Sequence, residues 1–142
     1  MAQAIAPKRV RSGTYGELWL NNEAVAEVFS CQAKVNKNKE KINRCGGFFA
    51  GHKLMGADIT GSIGIYNATS RLIELQAADL KAGRDSIFTI ISKLDDPDAL
   101  GAQRVQLTGV SFDDLTLADW EAATVGKITA PFTAEDFDPL EF

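Results

Sequence analysis

The sequence predicts a mainly β protein of the α+β class: an antiparallel β-barrel or two-sheet sandwich with one flanking α-helix and a long extended β-excursion. Apolar and polar residues alternate along six or seven short segments, which is the period of strands with one buried face. One further segment has helical spacing instead. Most connections are short, and a chain of 142 residues is expected to form a single domain, 1–142.

Charge is unevenly distributed along the chain, whose formal net charge is −4. Residues 1–53 hold nine Lys/Arg against four Asp/Glu, whereas residues 113–142 hold one Lys against eight Asp/Glu. A head-to-tail oligomer could place the basic end of one subunit against the acidic end of the next, although two solvated ends of a monomer fit equally well. We predict an amino-terminal arm over 1–13, disordered in the monomer, and an acidic carboxyl-terminal tail over 133–142.

The first strands are predicted close to the amino terminus. A short strand over 17–20 is followed by a tight turn at Asn21 and Asn22, because asparagine tolerates left-handed backbone angles. The next strand, 23–36, places apolar residues at alternate positions on one face, with Glu27 as the exception. This pattern predicts a half-buried antiparallel strand.

Residues 36–56 interrupt that pattern and are predicted to form an extended loop that reaches toward a partner. Charged and amide side chains come first, and a stretch with four glycines follows, which is too permissive in conformation for a packed core. Alternation resumes at Ala57. Gly61 and Gly64 within this later strand indicate a bend or a close approach of another group to the backbone.

One segment, 69–82, is predicted to be an α-helix. Its apolar residues form a broad stripe that would cover the open face of a sheet. Thr69 or Ser70 is positioned to cap its start, and Gly83 is positioned to end it.

The remainder of the chain is predicted to add strands and loops. Strands are expected over 86–94, 103–108 and 123–132, and an exposed loop over 95–101. The apolar positions change parity around Gly109, which indicates a β-bulge. Residues 115–120 fit either a strand end or a short helical turn.

Membrane insertion and disulfide bonding are both disfavoured. No apolar run approaches the roughly 20 residues that a spanning helix needs, and the amino terminus lacks the order of charges of a secretory signal. An intracellular start therefore disfavours a disulfide between Cys31 and Cys45 without removing the possibility. Cys31 is expected to be buried on a strand face, and Cys45 to be a free surface thiol.

Motifs for catalysis, cofactor binding or metal binding are not found. The sequence contains no GxSxG, Walker A or HExxH pattern, and His52, the single histidine, has no partner at ligand spacing. Three aspartates within 95–98 do not have the spacing of a calcium loop. We therefore predict neither enzymatic activity nor a cofactor.

The basic excursion allows two kinds of partner. Its lysines could neutralise phosphates while Phe48 and Phe49 stack on bases, as in a nucleic-acid-binding β-barrel. The chain as a whole is acidic, however, with a pI of about 5.0, and two adjacent phenylalanines on a loop are costly to leave in water. A protein contact that buries them is favoured over a nucleic-acid contact.

Two blocks of residues resemble the tail tube (core tail) proteins of contractile-tailed phages and related prophage-like particles. The first block contains Lys37, Asn38, Lys39, Ile42, Asn43, Gly51, His52, Lys53, Gly56, Ala57, Thr60 and Gly61, followed by Thr69 and Ser70. The second contains Pro131, Phe132 and Thr133, then Glu135, Asp136, Phe137 and Asp138. The resemblance covers residues 13–138, and the blocks occur in the expected order.

This resemblance implies a structural subunit that forms hexameric rings, which stack into a tube with a lumen for the passage of DNA. The residues expected at subunit interfaces are Lys37, Lys39, Lys41, Arg44, Phe48, Phe49, His52, Lys53, Glu135 and Asp136. Those expected to face the lumen are Gln32, Lys34, Thr60 and Ser62. The implied partners are further copies of the chain, a contractile sheath protein, baseplate and tail-terminator proteins, and DNA in transit. The implied location is the virion tail, after assembly in the cytoplasm of the host bacterium.

An alternative that shares this architecture is the inner tube of a phage-derived contractile injection particle or bacteriocin that carries no DNA. Neighbouring genes would distinguish the two, because capsid and terminase genes accompany a phage.

Overall fold

The computed structural model describes residues 3–141 and confirms a mainly β, antiparallel fold. In this part of the chain the strands and the α-helix are β1 (Gly16–Leu20), β2 (Glu23–Ala24), β3 (Val28–Ile42), β4 (Gly51–Tyr66), α1 (Arg71–Lys81), β5 (Phe88–Leu94), β6 (Gln103–Phe112), β7 (Lys127–Ala134) and β8 (Asp136–Glu141). Short 3-10 turns lie at Pro7–Arg9 and Gly13–Tyr15.

Strand β6 joins the two halves of the sheet. Its first part pairs with β5 and β8, and its end pairs with β7, so that the strand order is β2-β1-β5-β6-β7-β4-β3 with β8 beside β6. The change of partner occurs at Gly109, whose φ of 64° lies in the left-handed region. The pairing with β5 shifts register at this point, which confirms the predicted β-bulge.

The hydrophobic core lies between the two halves. Leu18 and Leu20 of β1 and Ile90 of β5 meet Ile63 and Phe132 from the other half, each at most 2% exposed. Leu72 of α1 contributes to the same cluster. The helix therefore covers part of the core, as its apolar stripe predicts.

The β3–β4 hairpin extends well beyond this core. The predicted loop over 36–56 is wrong for most of its length, because β3 continues to Ile42 and β4 begins at Gly51. Only 43–50 connects them. Continuous antiparallel pairing satisfies the backbone hydrogen-bonding groups of this segment, and that gain outweighs the low strand propensity of its Asn and Lys residues.

Strand β3 is not half-buried, contrary to the prediction for 23–36. The predicted single strand is divided by a turn into β2 and β3, and Phe29 and Val35 are 42% and 41% exposed. Cys31, expected to be buried, is likewise exposed, and both cysteines are unpaired. Phe29 lies at a bulge of β3 and contacts Gly64 and Tyr66 instead, and residues 3–141 cover the face of Cys31 and Val35 only in part.

Both ends of the described chain are more ordered than expected. The predicted tail over 133–142 is largely strand, since β7 runs to Ala134 and β8 pairs with β6. The backbone N–H of Ser12 donates to Asp96 at 2.8 Å, and Arg9 and Arg11 donate to backbone carbonyls of the 95–101 loop. The predicted disorder of the arm is therefore wrong for this part of it; residues 1, 2 and 142 lie outside the described residues.

Helix α1 is slightly shorter than the predicted 69–82. Its start is not capped as expected: Ser70 makes no capping side-chain hydrogen bond, and the Thr69 hydroxyl donates to the Glu27 carboxylate at 3.1 Å instead. The prediction for the other end is confirmed, because Gly83 adopts a left-handed φ of 75° directly after the last turn. Residues 115–120 form neither a strand nor a helix.

Gly61 and Gly64 permit close contacts on opposite faces of β4, which confirms the prediction of close approach. A Cβ on Gly61 would overlap the Gln32 carbonyl oxygen and lie 2.7 Å from the ring of Phe132. A Cβ on Gly64 would lie 2.8 Å from the ring of Phe29. These glycines let one aromatic ring lie against each side of the strand.

Gly61→Ala is expected to destabilise the fold by about 1–3 kcal/mol, because the added methyl group meets backbone atoms that cannot move aside. The measurement is the free energy of unfolding in urea. Gly56→Ala, in the same strand but with open space around its Cβ, is the matched control and should change stability by less than about 0.5 kcal/mol. Equal losses for the two variants would show that the close packing at Gly61 is unimportant.

Candidate assembly surface

The residues predicted to face a lumen lie together on one face of the sheet. Gln32 is opposite Ser62 and Lys34 is opposite Thr60, and residues directly opposite each other in an antiparallel pair share a face. The Asn36 side-chain amide donates to the Thr60 hydroxyl at 2.8 Å across the same face. The structure therefore places all four predicted residues on a single surface, here called the polar face.

The polar face continues onto β7 and carries few charges. Thr133 is paired with Thr60, and Lys127 with Tyr66. At this end the rings of Phe29 and Tyr66 lie 4.8 Å apart, and the Lys127 ammonium lies 5.4 Å from the Phe29 ring. Apart from Lys34, Asp58 and Lys127, the face over this region is built mainly of hydroxyl and amide side chains.

The opposite face of the hairpin carries a row of lysines. Lys37, Lys39 and Lys41 alternate along β3 and therefore project from the same side. Across the strand they face Ala57, Leu54 and His52 respectively. The structure thus brings together four predicted interface residues on one face, here called the basic face: Lys37, Lys39, Lys41 and His52. Lys34 lies on the opposite, polar face.

The tip of the hairpin presents two aromatic rings to solvent. Phe48 is 96% exposed and Phe49 is 78% exposed, and their rings contact each other edge to face at 5.2 Å. Arg44 donates from its guanidinium to the Phe49 carbonyl at 3.0 Å. Arg44 therefore also holds the loop in shape, a role that the sequence analysis did not identify.

The predicted acidic interface residues lie beside the middle of the hairpin, because Ala134 pairs with Ile59. Glu135 follows β7, and Asp136 is the first residue of β8. Asp136 accepts a hydrogen bond from the backbone N–H of Phe137 at 2.9 Å. Within one chain they are separated from the tip by the distal half of the hairpin, so any pairing with the tip's basic residues requires a second copy.

The base of the hairpin is fixed by an ion pair that the sequence analysis missed. The Glu27 carboxylate, 7% exposed, accepts hydrogen bonds from Arg71 at 2.9 Å and from Thr69. Hydrogen bonding from Arg71 holds the pKa of Glu27 below its usual value, against the opposing effect of burial. The available signal was the position of Glu27 as the polar exception on an apolar strand face.

The described part of the chain has neither a candidate metal site nor a candidate membrane-spanning helix. Residues 3–141 contain no group of three or more His, Cys, Asp or Glu placed to hold a metal ion. Over the same range, no helix has the length and apolar character needed to cross a bilayer.

A family model described as "Phage tail tube protein" matches residues 3–141, and the chain belongs to that family. It is a structural component of phage or phage-derived particles, not an enzyme.

Relatives and solved structures agree with this assignment. The chain is 36% identical over 140 residues to the phage-like element PBSX protein XkdM of Bacillus subtilis (strain 168), a match that covers 97% of this chain and 95% of the relative. A solved structure of a Bacillus subtilis protein, 37% identical, superposes with a TM-score of 0.54 and covers 89% of this chain and 92% of the other.

Two particle structures share the fold at low sequence identity. A sheath/tube terminator of an extracellular contractile injection system has a TM-score of 0.69 at 8% identity, covering 97% of each chain. The tube-terminating cap of the anti-feeding prophage has the same TM-score at 14% identity, covering 99% of this chain and 97% of that one. The predicted fold and family resemblance are thereby confirmed.

Glu27→Gln is expected to lower the free energy of unfolding at pH 7 by roughly 1–3 kcal/mol, because it removes the charged partner of Arg71 at a buried site. A lowered folded-state pKa means that the ion pair stabilises the fold above the unfolded-state pKa, near 4.5. This contribution is lost as the pH falls through the lower folded-state value. Urea unfolding from roughly pH 2.5 to pH 7 measures both the loss of stability at pH 7 and the dependence of stability on pH.

The variant should therefore show a flatter acid limb of stability than the wild-type chain. Glu23→Gln is the control, because Glu23 also approaches Arg71, at 3.4 Å, but has a side chain that is 73% exposed. An unchanged acid limb in Glu27→Gln would contradict the assigned role of this carboxylate.

Proposed function

We propose that the chain is the subunit of a contractile-tail tube, in which hexameric rings stack around a lumen through which DNA passes. The observation that carries this proposal is the open edge of β3. Over Val28–Ile42 this strand pairs with β4 on one side only, and no strand within residues 3–141 pairs with its other side. A long unpaired edge is a template for a neighbouring chain, and closure into a ring satisfies it.

The polar face supports a lumen lined by Gln32, Lys34, Thr60 and Ser62. Its side chains are mainly hydroxyls and amides, with few positive charges to bind phosphates. Affinity for DNA rises with the number of phosphates that a protein neutralises. A surface of low charge density therefore suits a channel through which DNA slides without being retained.

The remaining surfaces suit contacts with other tail components. The lysines of the basic face, with Lys53, would meet the acidic Glu135 and Asp136 of a neighbouring subunit. Helix α1 and the 95–101 loop lie away from the polar face, where a contractile sheath could contact them. Baseplate and tail-terminator proteins would bind the tube ends, and the virion tail would be assembled in the host bacterial cytoplasm.

Two related functions are consistent with the same fold. An inner tube of a contractile injection particle or bacteriocin would use the same rings without DNA. A terminator is a second candidate, because two of the matching solved structures are a tube terminator and a terminating cap. Electron microscopy of the purified chain separates tube from terminator: stacked tubes support the tube subunit, and single rings that do not stack support the terminator.

Replacing residues 38–56 by Asn-Gly, which joins the paired residues Lys37 and Ala57 by a two-residue turn, should abolish assembly but preserve the fold. The core contains no residue of the removed segment. The measurements are negative-stain microscopy, sedimentation and far-ultraviolet circular dichroism. Continued tube formation by a folded variant would show that the distal hairpin is not an assembly element.

Ser62→Cys should be protected by assembly from a bulky polyethylene-glycol maleimide, because a lumen restricts the approach of a large reagent. Cys31→Ser and Cys45→Ser form the background, since both native thiols are exposed. Leu100→Cys, at a loop residue that is 80% exposed, is the matched control outside the lumen. Equal labelling of the two sites in assembled tubes would contradict the assignment of the polar face to the lumen.

A further inference from the structure

A groove beside the middle of the hairpin has an apolar floor and an acidic rim. Val35, Ile59 and Ala134 lie side by side across β3, β4 and β7, because Val35 pairs with Ile59 and Ile59 pairs with Ala134. Phe137 of β8, 46% exposed, completes the apolar lining. Glu135 and Asp136 also line the groove, whose volume is about 630 Å³.

The hairpin tip has the complementary chemistry. Phe48 and Phe49 are strongly exposed, and their rings contact each other on a loop that is held by the hydrogen bond from Arg44 to the Phe49 carbonyl. Lys41 and Lys53 lie on the strands next to the tip. An engineered cavity of roughly 150 Å³ holds one benzene ring, so the groove has room for both phenylalanine side chains.

A chain cannot place its own tip in its own groove. Val35 and Ile42 lie seven positions apart along β3, which separates groove and tip by roughly 23 Å at about 3.3 Å per residue. Between Val35 and Ile42 the pairing with β4 is continuous apart from one irregularity between Asn38 and Lys39, so the arm does not fold back. The occupant of the groove therefore comes from another molecule.

We propose that the groove formed by Val35, Ile59, Ala134 and Phe137 receives the Phe48–Phe49 tip of a second copy of this chain. The acidic rim of the groove then meets the basic residues that flank the incoming tip. Burial removes two rings from water, and aromatic residues in a desolvated pocket are typical centres of binding energy. This inference rests on the proposed function and adds the partner surface of its hairpin.

The contact is heterologous, because tip and groove are different surfaces of the same molecule. Each copy that donates a tip still has its own groove free for the next copy. Such a contact repeats until it closes into a ring or extends as a filament. The basic and acidic halves of the sequence thereby become the two sides of one interface.

The first test is the double variant Phe48→Ser with Phe49→Ser, compared with Leu117→Ser with Trp120→Ser. Both pairs are strongly exposed, but only the first lies at the tip. The tip variant should raise the protein concentration needed for assembly by roughly tenfold or more, with unchanged circular dichroism. The control should assemble as the wild-type chain does. Tubes of normal yield from the tip variant would overturn the groove contact.

The second test is cross-linking in the full chain, and it does not depend on the first variant. Cys45 lies on the tip loop and is exposed, so a short bismaleimide can join it to Asp136→Cys in a Cys31→Ser background. We expect a ladder of covalent dimers and larger species in a denaturing gel. Lys81→Cys, on α1, is the control and should give none. No ladder, or equal ladders from both sites, would overturn the inference.

The outcomes also separate this inference from the proposed function. Wild-type tubes together with normal tubes from the tip variant would overturn the groove contact and leave the tube function supported. A wild-type chain that forms neither rings nor tubes would overturn the tube function, whereas a Cys45 ladder in that chain would still support the contact between tip and groove.

Discussion

The division of β6 between two sets of partners is the constraint on which the rest of the structure depends. Up to Thr108 the strand pairs with β5 and β8, and beyond Gly109 it pairs with β5 only at Val110 and then with β7 at Ser111 and Phe112. The backbone N–H of Glu135 donates to the Thr108 carbonyl at 3.0 Å, so the bend of β6 and the corner between β7 and β8 stabilise each other. Without this bend the two halves of the sheet would not face each other, and the core between them would not form.

The hairpin depends on that core only at its base. Ile63 and Ile65 of β4 are buried, whereas the residues of β4 from His52 to Ala57 are exposed. The ion pair of Glu27 with Arg71 joins the start of α1 to the corner that precedes β3. The backbone N–H of Tyr66 donates to the Glu27 carbonyl at 2.9 Å, which also fixes the end of β4. A rigid base thus supports an arm whose own side chains are left for other contacts.

Sequence patterns predicted the parts of the fold in which one chain supplies both sides of the packing. The parity change at Gly109, the end of the helix at Gly83 and the close contacts at Gly61 all follow from local constraints on the backbone. The burial of Phe29 was predicted wrongly because a bulge at the start of β3 moves its ring to the other face. The burial of Cys31 was predicted wrongly because alternation shows that a face is apolar but not how completely it is covered. The polar and basic faces of the hairpin can be identified only when the cross-strand register is known. A chain segment assigned as a loop over 36–56 has no such register. Asp96 was missed because its role, holding the backbone of Ser12, depends on the position of a distant segment.

The single direction in which the hairpin projects would give a head-to-tail assembly of these subunits a polarity. When every tip in a stack points the same way, one terminal ring exposes basic aromatic tips and the opposite terminal ring exposes unfilled acidic grooves. The two ends then differ in charge and in hydrophobicity, although they are built from one chain. They would differ in the rate at which they add subunits, and each would need a different protein to stop its growth. A symmetric, two-fold contact between the same chains would provide no such distinction.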